Sequence, residues 1–297
     1  MRPQLSRRAK TTLIVLFALV VLLIASTNVI GIAIDWLWFD SLGQLRTYQT
    51  RIWTQAGLWL GSGVLVAGVC LANWLLIPRR LLDRLRIPLR SLRQRSLTVS
   101  PRFSRIVVSL ITTFIALVMA QEVAGRWMMA LKLARGAPFG HSDPLFGLDV
   151  SFYVFRLPAY QFLVRWFLAL VVVVFIGSLL IYLVAGQVRG KRAAIHLSAM
   201  GAIFLLLMGV SYQLQRYALL NTSRGVVFGA GYTDVHARMP VLHVLTGLVV
   251  LGAVLLLVNI AVRRWRLLVA IGAAWVVVSI IGPSYPPLVK RFTVQPN

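Results

Sequence analysis

Apolar residues run through this chain in long uninterrupted blocks, broken by short polar and basic segments. A helix crossing a bilayer needs about 20 mostly apolar residues. Seven stretches meet that length: residues 11–34, 52–77, 104–124, 158–185, 193–212, 240–262 and 265–282. The third is diluted by Ser109, Thr112 and Thr113, whose hydroxyls can bond back to the preceding helical turn. The expected fold is therefore all-α, a polytopic membrane helix bundle of about seven transmembrane helices in a single domain spanning residues 1–297.

Composition agrees with that class. Of 297 residues, 59% are apolar and 13% charged, with a mean hydropathy of +0.82. A soluble domain carries roughly twice that charged fraction, and a disordered chain has low hydrophobicity. One cysteine, Cys70, excludes an intrachain disulfide and any cysteine-built metal cluster.

The net charge of +24 has a definite address. Residues 1–10, 78–103, 186–193 and 262–266 hold 18 of the 31 basic residues in roughly 50 positions. Residues 35–51, 125–159, 213–239 and 283–297 hold 11 in roughly 95. Basic loops stay on the cytoplasmic side, so the amino terminus is expected inside and the carboxyl terminus outside, in a prokaryotic plasma membrane. Asp35, Asp40, Asp143, Asp149 and Asp234 fall in the outer loops and Asp83 in an inner one. Trp36, Trp38, Trp53, Trp127 and Trp166 stand near outer ends, where an aromatic belt belongs. Basic residues parcelled between apolar blocks suit anionic lipid headgroups. They do not suit nucleic acid, which needs a contiguous basic patch with stacking aromatics.

Arg7, Arg8 and Lys10 precede the first apolar run as in a signal peptide. That run is too long for one and ends without a cleavage motif, so an uncleaved span is expected. In the loop 78–103, Leu81, Leu82, Leu85, Leu89 and Leu92 recur at helical spacing among arginines. Such a segment either sets topology or lies as a helix in the headgroup plane, with Pro88 as a break. In the second span Gly57/Gly61 and Gly63/Ala67 form small-residue pairs suited to close helix approach.

Glu122, the only glutamate, lies near the outer end of the third span. An intramembrane carboxylate is a functional candidate, and the plainer alternative pairs it with Arg126 one turn on. Beyond Glu122, Asn28, Asn73 and Asn259 stand as the interior polar residues, each near a span end, which speaks against ion-coupled transport. In the outer loops, His141, Asp143 and Asp149, with Asp234, His236 and the nearby His243, are weak candidates for a divalent-metal site. Asp143-Pro144 is equally a turn dipeptide, and Thr233 or Asp234 equally a helix cap. Gly225, Gly229 and Gly231 lack the setting of a phosphate loop, and HExxH and GxSxG are absent. Neither a catalytic residue nor a cofactor is assigned. Asn221-Thr222-Ser223 is a glycosylation sequon, relevant in a eukaryotic secretory pathway.

Four segments carry a resemblance: DWLWFDSLGQLRTYQTRIWT (35–54), FGHSDPLFGLDVSFYVFRLP (139–158), RYALLNTSRGVVFGAGYTDVHARMP (216–240) and YPPLVKRFTVQPN (285–297). Together they resemble the membrane region of uncharacterised protein family 0182, prokaryotic multi-pass proteins with no agreed catalytic residues. The resemblance implies about seven amino-terminal helices followed by a large extracytoplasmic region. It also implies that this chain, which stops at Asn297, is a fragment, the product of a split gene or a truncated product of such a protein. Proline and glycine punctuate the outer motifs, with Phe152, Tyr153 and Phe155 expected at the interface and Pro158 and Pro240 in first helical turns. Such loops predict an ordered cap over the bundle, suited to docking a following domain. The expected role is thus a membrane anchor or assembly scaffold. A transporter or channel using Glu122, and an enzyme acting at the outer membrane surface, are the alternatives.

Overall fold

A computed structural model describes residues 30–75, 86–88, 96–98, 101–221 and 229–281. Residues 11–29 of the first expected span, Asn28, the leucines of the 78–103 loop, most of the sequon, Gly225 and the 285–297 motif lie outside them. The chain divides into two compact units, residues 1–57 and 58–297.

In the first unit, residues 30–41 form a helix (α1). Gly43 turns the chain at φ +68°, a left-handed backbone that glycine adopts without a Cβ penalty. The helix Leu45–Leu75 (α2) begins directly after it. Tyr48, 1% exposed, stacks on Phe39, meets Trp36 edge-on, and donates its hydroxyl to the Ile32 carbonyl at 3.1 Å. The motif 35–54 is thus an aromatic hairpin.

The second unit contains the rest of α2 and the helices Pro101–Ala124 (α3), Trp127–Arg135 (α4), Leu157–Val184 (α5), Lys191–Ala218 (α6), Met239–Val262 (α7) and Trp265–Ile281 (α8). Five helices among the described residues are long and apolar enough to cross a membrane: Leu45–Trp74, Arg105–Ala124, Phe152–Val184, Lys191–Asn221 and Asp234–Val262. The sixth candidate, Trp265–Val278, is shorter. Helical turns with i→i+5 bonding, Phe152–Arg156 and Asp234–Arg238, run straight into α5 and α7. Pro158 and Pro240 sit in the first turns as expected, where a missing N–H costs nothing.

Long-range bonds set the register. Trp74 donates its indole N–H to the Val174 carbonyl at 3.2 Å, joining the same ends of α2 and α5. Trp166 donates to the Met119 carbonyl at 3.2 Å, which runs α3 antiparallel to α5. Gln213 bonds Thr246 and Asn259 bonds Ser198, which runs α6 antiparallel to α7. One end of this unit therefore carries the long segments 125–156 and 219–238, and the other carries the short basic turns 186–190 and 263–264. We call them the loop-rich end and the basic end. One core cluster gathers Val66, Cys70, Trp74, Phe162, Trp166 and Leu170 from α2 and α5 with Ala116 and Met119 of α3. A second gathers Leu205, Tyr212, Leu245, Val249 and Leu256 from α6 and α7. Large apolar side chains also cover the outside, as on Val244, Leu251 and Val258. A helix apolar on every side is at home in lipid.

Several local expectations are corrected. Trp166, at 4% exposure, is a core residue rather than an interfacial anchor, because its indole reaches a helix carbonyl inside the bundle. Tyr153 is likewise buried rather than interfacial. Within the 78–103 loop, Arg86–Pro88 pairs antiparallel with Ser96–Thr98 instead of continuing a helix, consistent with a proline that forbids helical bonding there. Among the described residues the Gly57 and Gly61 pair meets no neighbour: a Cβ at either would find nothing within 4 Å. The Gly63 and Ala67 pair does pack: a Cβ at Gly63 would lie 3.5 Å from Ala120 of α3, and Ala67 packs against the core that contains Ala116 and Met119. Thr113 bonds back to the Ser109 carbonyl, whereas the buried Thr112 hydroxyl has no hydrogen-bond partner among the described residues.

Candidate functional site

The loop-rich end is built on two aspartates. Residues 141–150 form a tight hairpin: the Asp143 N–H donates to the Leu148 carbonyl and the Val150 N–H to the His141 carbonyl. Gly147, at φ +68°, supplies the left-handed step. The Asp143 carboxylate fills this hairpin. Its Oδ1 accepts the N–H groups of Leu145 and Phe146 at 2.9 and 2.6 Å, and its Oδ2 accepts the Leu148 N–H at 3.0 Å and the Tyr153 hydroxyl at 2.7 Å. Asp149 performs the same task outside the hairpin, accepting the N–H groups of Phe139, Gly140 and Ser151.

The hairpin is fastened to the end of α6. Phe146 and Phe152 each meet Tyr217 edge-on, with ring centroids 4.9 and 5.5 Å apart. Tyr153, Leu157 and Leu214 form the buried centre beneath, with Leu148 and Leu220 against them. Residues of the 139–158 and 216–240 motifs thus share one aromatic cluster.

These bonds define the electrostatics. Partial burial works to raise the Asp143 carboxyl, but the Tyr153 hydroxyl and the N–H groups of Phe146, Leu148 and Leu145 together hold it below its ordinary value. The Ser151 hydroxyl, with the N–H groups of Phe139, Ser151 and Gly140, holds Asp149 well below the carboxylate range. A folded-state value below the unfolded one stabilises fully above the unfolded pKa of about 4 and is lost as pH falls through the folded value. Backbone protection at Gly140, Phe146, Leu148 and Ser151 is therefore expected to hold from pH 7 to 5 and to weaken progressively as pH falls below about 4 toward the folded values. Hydrogen exchange corrected for intrinsic rate checks this. Protection no weaker at pH 2 than at pH 5 would show that the carboxylates do not hold the loop.

The metal candidates are placed apart from that chemistry. Asp143 and Asp149 spend their oxygens on backbone N–H groups, and His141 is exposed. Asp234 accepts the Gly231 N–H and pairs with Arg238 at 3.4 Å, while His236 stacks on Tyr232 at 4.1 Å. Asp234 reaches back to the Gly231 N–H at the start of that helix, a capping contact, whereas Thr233 makes no cap bond. His243 is exposed on α7. Among the described residues, no three His, Cys, Asp or Glu side chains gather as a cation site. Glu122 is exposed near the end of α3, and Arg126 lies over the Phe162 ring at 5.3 Å rather than pairing with it.

At the basic end lies a polar group that the sequence reading omitted. His196 on α6 bonds Asn73 of α2 through Nε2 at 3.0 Å and the Tyr182 hydroxyl of α5 through Nδ1 at 3.3 Å. Asn73 in turn donates to the Val69 carbonyl at 2.7 Å. Donation is consistent in one direction, Tyr182 to His196 to Asn73 to Val69, with the imidazole neutral and Nε2 protonated. Beside it Asn259, fully buried, donates to Ser198 at 2.8 Å and accepts the Arg264 N–H at 3.0 Å. The visible signal was an ionisable residue inside a predicted span, which is a functional candidate by default. Its partners lie on other helices, where spacing along the chain cannot find them.

A model described as "Uncharacterised protein family (UPF0182)" matches residues 12–297. The chain is 34% identical over 310 residues to a UPF0182 protein of Saccharopolyspora erythraea, covering 99% of this chain and 32% of that protein. It is 35% identical to one from Streptomyces coelicolor, covering 98% and 31%, and 35% identical to one from Cupriavidus necator, covering 94% and 32%. The chain thus spans about a third of the length of these relatives. No solved structure matches it.

Proposed function

The chain belongs to the uncharacterised protein family UPF0182, and from that premise we propose that it is a membrane anchor and assembly scaffold for an extracytoplasmic domain. The bundle crosses a prokaryotic plasma membrane seven times, α1 being the end of the first span and α8 the last. Basic turns face the cytoplasm against anionic headgroups, and the loop-rich end faces out. The observation that carries this reading is the floor made by Asp143, Asp149, Tyr153 and Tyr217. Two carboxylates and an aromatic cluster are spent on shaping a surface, and both carboxylates are engaged in holding backbone N–H groups. A catalytic or transport site instead leaves polar groups facing a space where substrate can sit. The relatives' greater length supplies polypeptide for such a floor to receive.

The test uses photo-crosslinking in cells from Phe139 and Leu145, apolar side chains exposed on the floor by 47% and 38%. Adducts to an extracytoplasmic polypeptide are expected, and a crosslinker at Val254 on the lipid-facing side of α7 serves as the control. Floor positions that give lipid or no adduct would overturn the scaffold reading. A reporter fused after Asn297 is expected to be active outside the cell; cytoplasmic activity would overturn the seven-span topology.

A further inference from the structure

We propose that the basic end holds one anionic phospholipid, with its phosphate at the corner between the 186–190 and 263–266 turns and one acyl chain in a cleft between α5, α6, α7 and α8. The proposal rests on the membrane-spanning reading and adds a defined site to it. The cleft has a volume of about 230 Å3 and an almost wholly apolar lining that includes Val172, Phe175, Phe204, Leu256, Ile271 and Gly272. It reaches the surface at Val172, which is 38% exposed. A hydrocarbon chain fits such a lining, and a polar metabolite does not.

Position and charge identify the ligand. At 1.5 Å per residue, Ile271 lies about 9 Å along α8 from Trp265, and Gly201 lies about 15 Å along α6 from Lys191. The cleft thus begins one acyl-chain segment below the basic turns. At the corner, the Arg189 guanidinium covers the Trp265 ring at 5.4 Å, tying the two turns together. Arg189, Lys191, Arg192, Arg263, Arg264 and Arg266 are all exposed there. Among the described residues, none of them pairs with a carboxylate; the ion pair seen is Arg238 with Asp234 at the opposite end. Helices α6 and α8 also begin at this corner, so their first N–H groups point toward it. The α6 N-cap, Gly190, offers no side chain to satisfy them. Helix N-termini beside arginines bind phosphate groups. Basic pockets between transmembrane helices on this face take anionic headgroups. The αL backbone of Arg263, at φ +59°, turns α7 tightly into α8, and three of the four residues 263–266 are arginines. The three features meet at one place, and a phospholipid satisfies all of them.

The purified, delipidated chain is titrated with phosphatidylglycerol or phosphatidylcholine of identical acyl chains, and the retained lipid is read by native mass spectrometry. One phosphatidylglycerol is expected to bind at least about tenfold more tightly than phosphatidylcholine. Combined Arg263→Gln, Arg264→Gln and Arg266→Gln are expected to abolish that preference. Gly272→Leu is expected to weaken both lipids about tenfold, since a Cβ at Gly272 meets nothing within 4 Å and the side chain fills the cleft without a clash. Val172→Trp at the rim gives a second obstruction, and each variant is compared at an unchanged melting temperature. Equal binding of the two lipids would overturn the proposal. So would full phosphatidylglycerol binding by both obstructed variants, which would mean headgroup attraction without a chain site. Inorganic phosphate that binds alone as tightly as the lipid would overturn it in favour of a free anion. Retention is measured without reference to which side faces the cytoplasm, so these outcomes are separable from failure of the topology.

Discussion

Gly177→Leu is expected to lower the apparent melting temperature of the purified chain by roughly 5–15 °C, following from about 2–4 kcal/mol of overpacking and lost hydrogen bonding. Gly177 on α5 lies directly under the indole of Trp74, and the atoms Cζ2, Cε2 and Nε1 of that ring occupy the space a Cβ would need. The same close approach lets Trp74 reach the Val174 carbonyl, and Trp74 is 4% exposed at the centre of the α2–α5 core. The far end of a flexible side chain could swing aside; a buried indole held by a hydrogen bond cannot. Gly61→Leu is the contrast, because a Cβ at Gly61 meets nothing within 4 Å and its change should fall within experimental error. In a Trp74→Ala background, Gly177→Leu should cost less than in the wild type, since the coupling runs through that contact. Equal melting temperatures for Gly177→Leu and Gly61→Leu would show that the α2–α5 contact does not hold the bundle together.

That contrast marks what could be read along the chain. Six expected spans coincide with helices, five of them long and apolar enough to cross a membrane, and Pro158 and Pro240 open theirs, because hydrophobic length and proline geometry are local properties. Small-residue spacing in the second span is local too, yet it told only half: Gly63 and Ala67 pack, while Gly57 and Gly61 meet nothing among the described residues. A stripe of small residues permits close approach but does not say whether a partner stands opposite. The important glycine, Gly177, belongs to no repeated small-residue stripe and is recognisable only once Trp74 is placed across from it. His196 has the same character: it bonds Asn73, far away in the chain and on another helix. The candidate metal residues failed in the other direction. His141, Asp143 and Asp149 share a short segment, but Asp143-Pro144 and the glycines at 140 and 147 already described a turn, and turns consume carboxylates on backbone N–H groups.

Asp143→Ala should accordingly undo the loop-rich floor more completely than any change to the histidines. Four donors converge on this carboxylate, and they differ in what happens when it goes. Water can reach the N–H groups of the hairpin in part, but Tyr153 is 5% exposed and its hydroxyl would be left without an acceptor. Losing the acceptor for a buried donor costs about 1–3 kcal/mol, and the hairpin bonds add to that. Hydrogen exchange at Leu145, Phe146 and Leu148 is expected to accelerate on the order of 100-fold in Asp143→Ala. Asp143→Asn should give a smaller acceleration, about tenfold, because an amide oxygen replaces Oδ1 for Leu145 and Phe146 while its NH2 group opposes the Leu148 N–H. Tyr153→Phe removes one donor and keeps the ring in its cluster, so it should change least of the three. The order Ala, Asn, then Phe is the signature of a carboxylate acting as a backbone clamp. His141→Ala, by contrast, is expected to leave exchange unchanged, since the His141 carbonyl, not its imidazole, enters the hairpin. If His141→Ala opened the loop as far as Asp143→Ala does, a role for that imidazole would replace the clamp. If the floor receives a domain, crosslinking from Leu145 should fall in step with the loss of protection, which ties the geometry of one carboxylate to the scaffold reading as a whole.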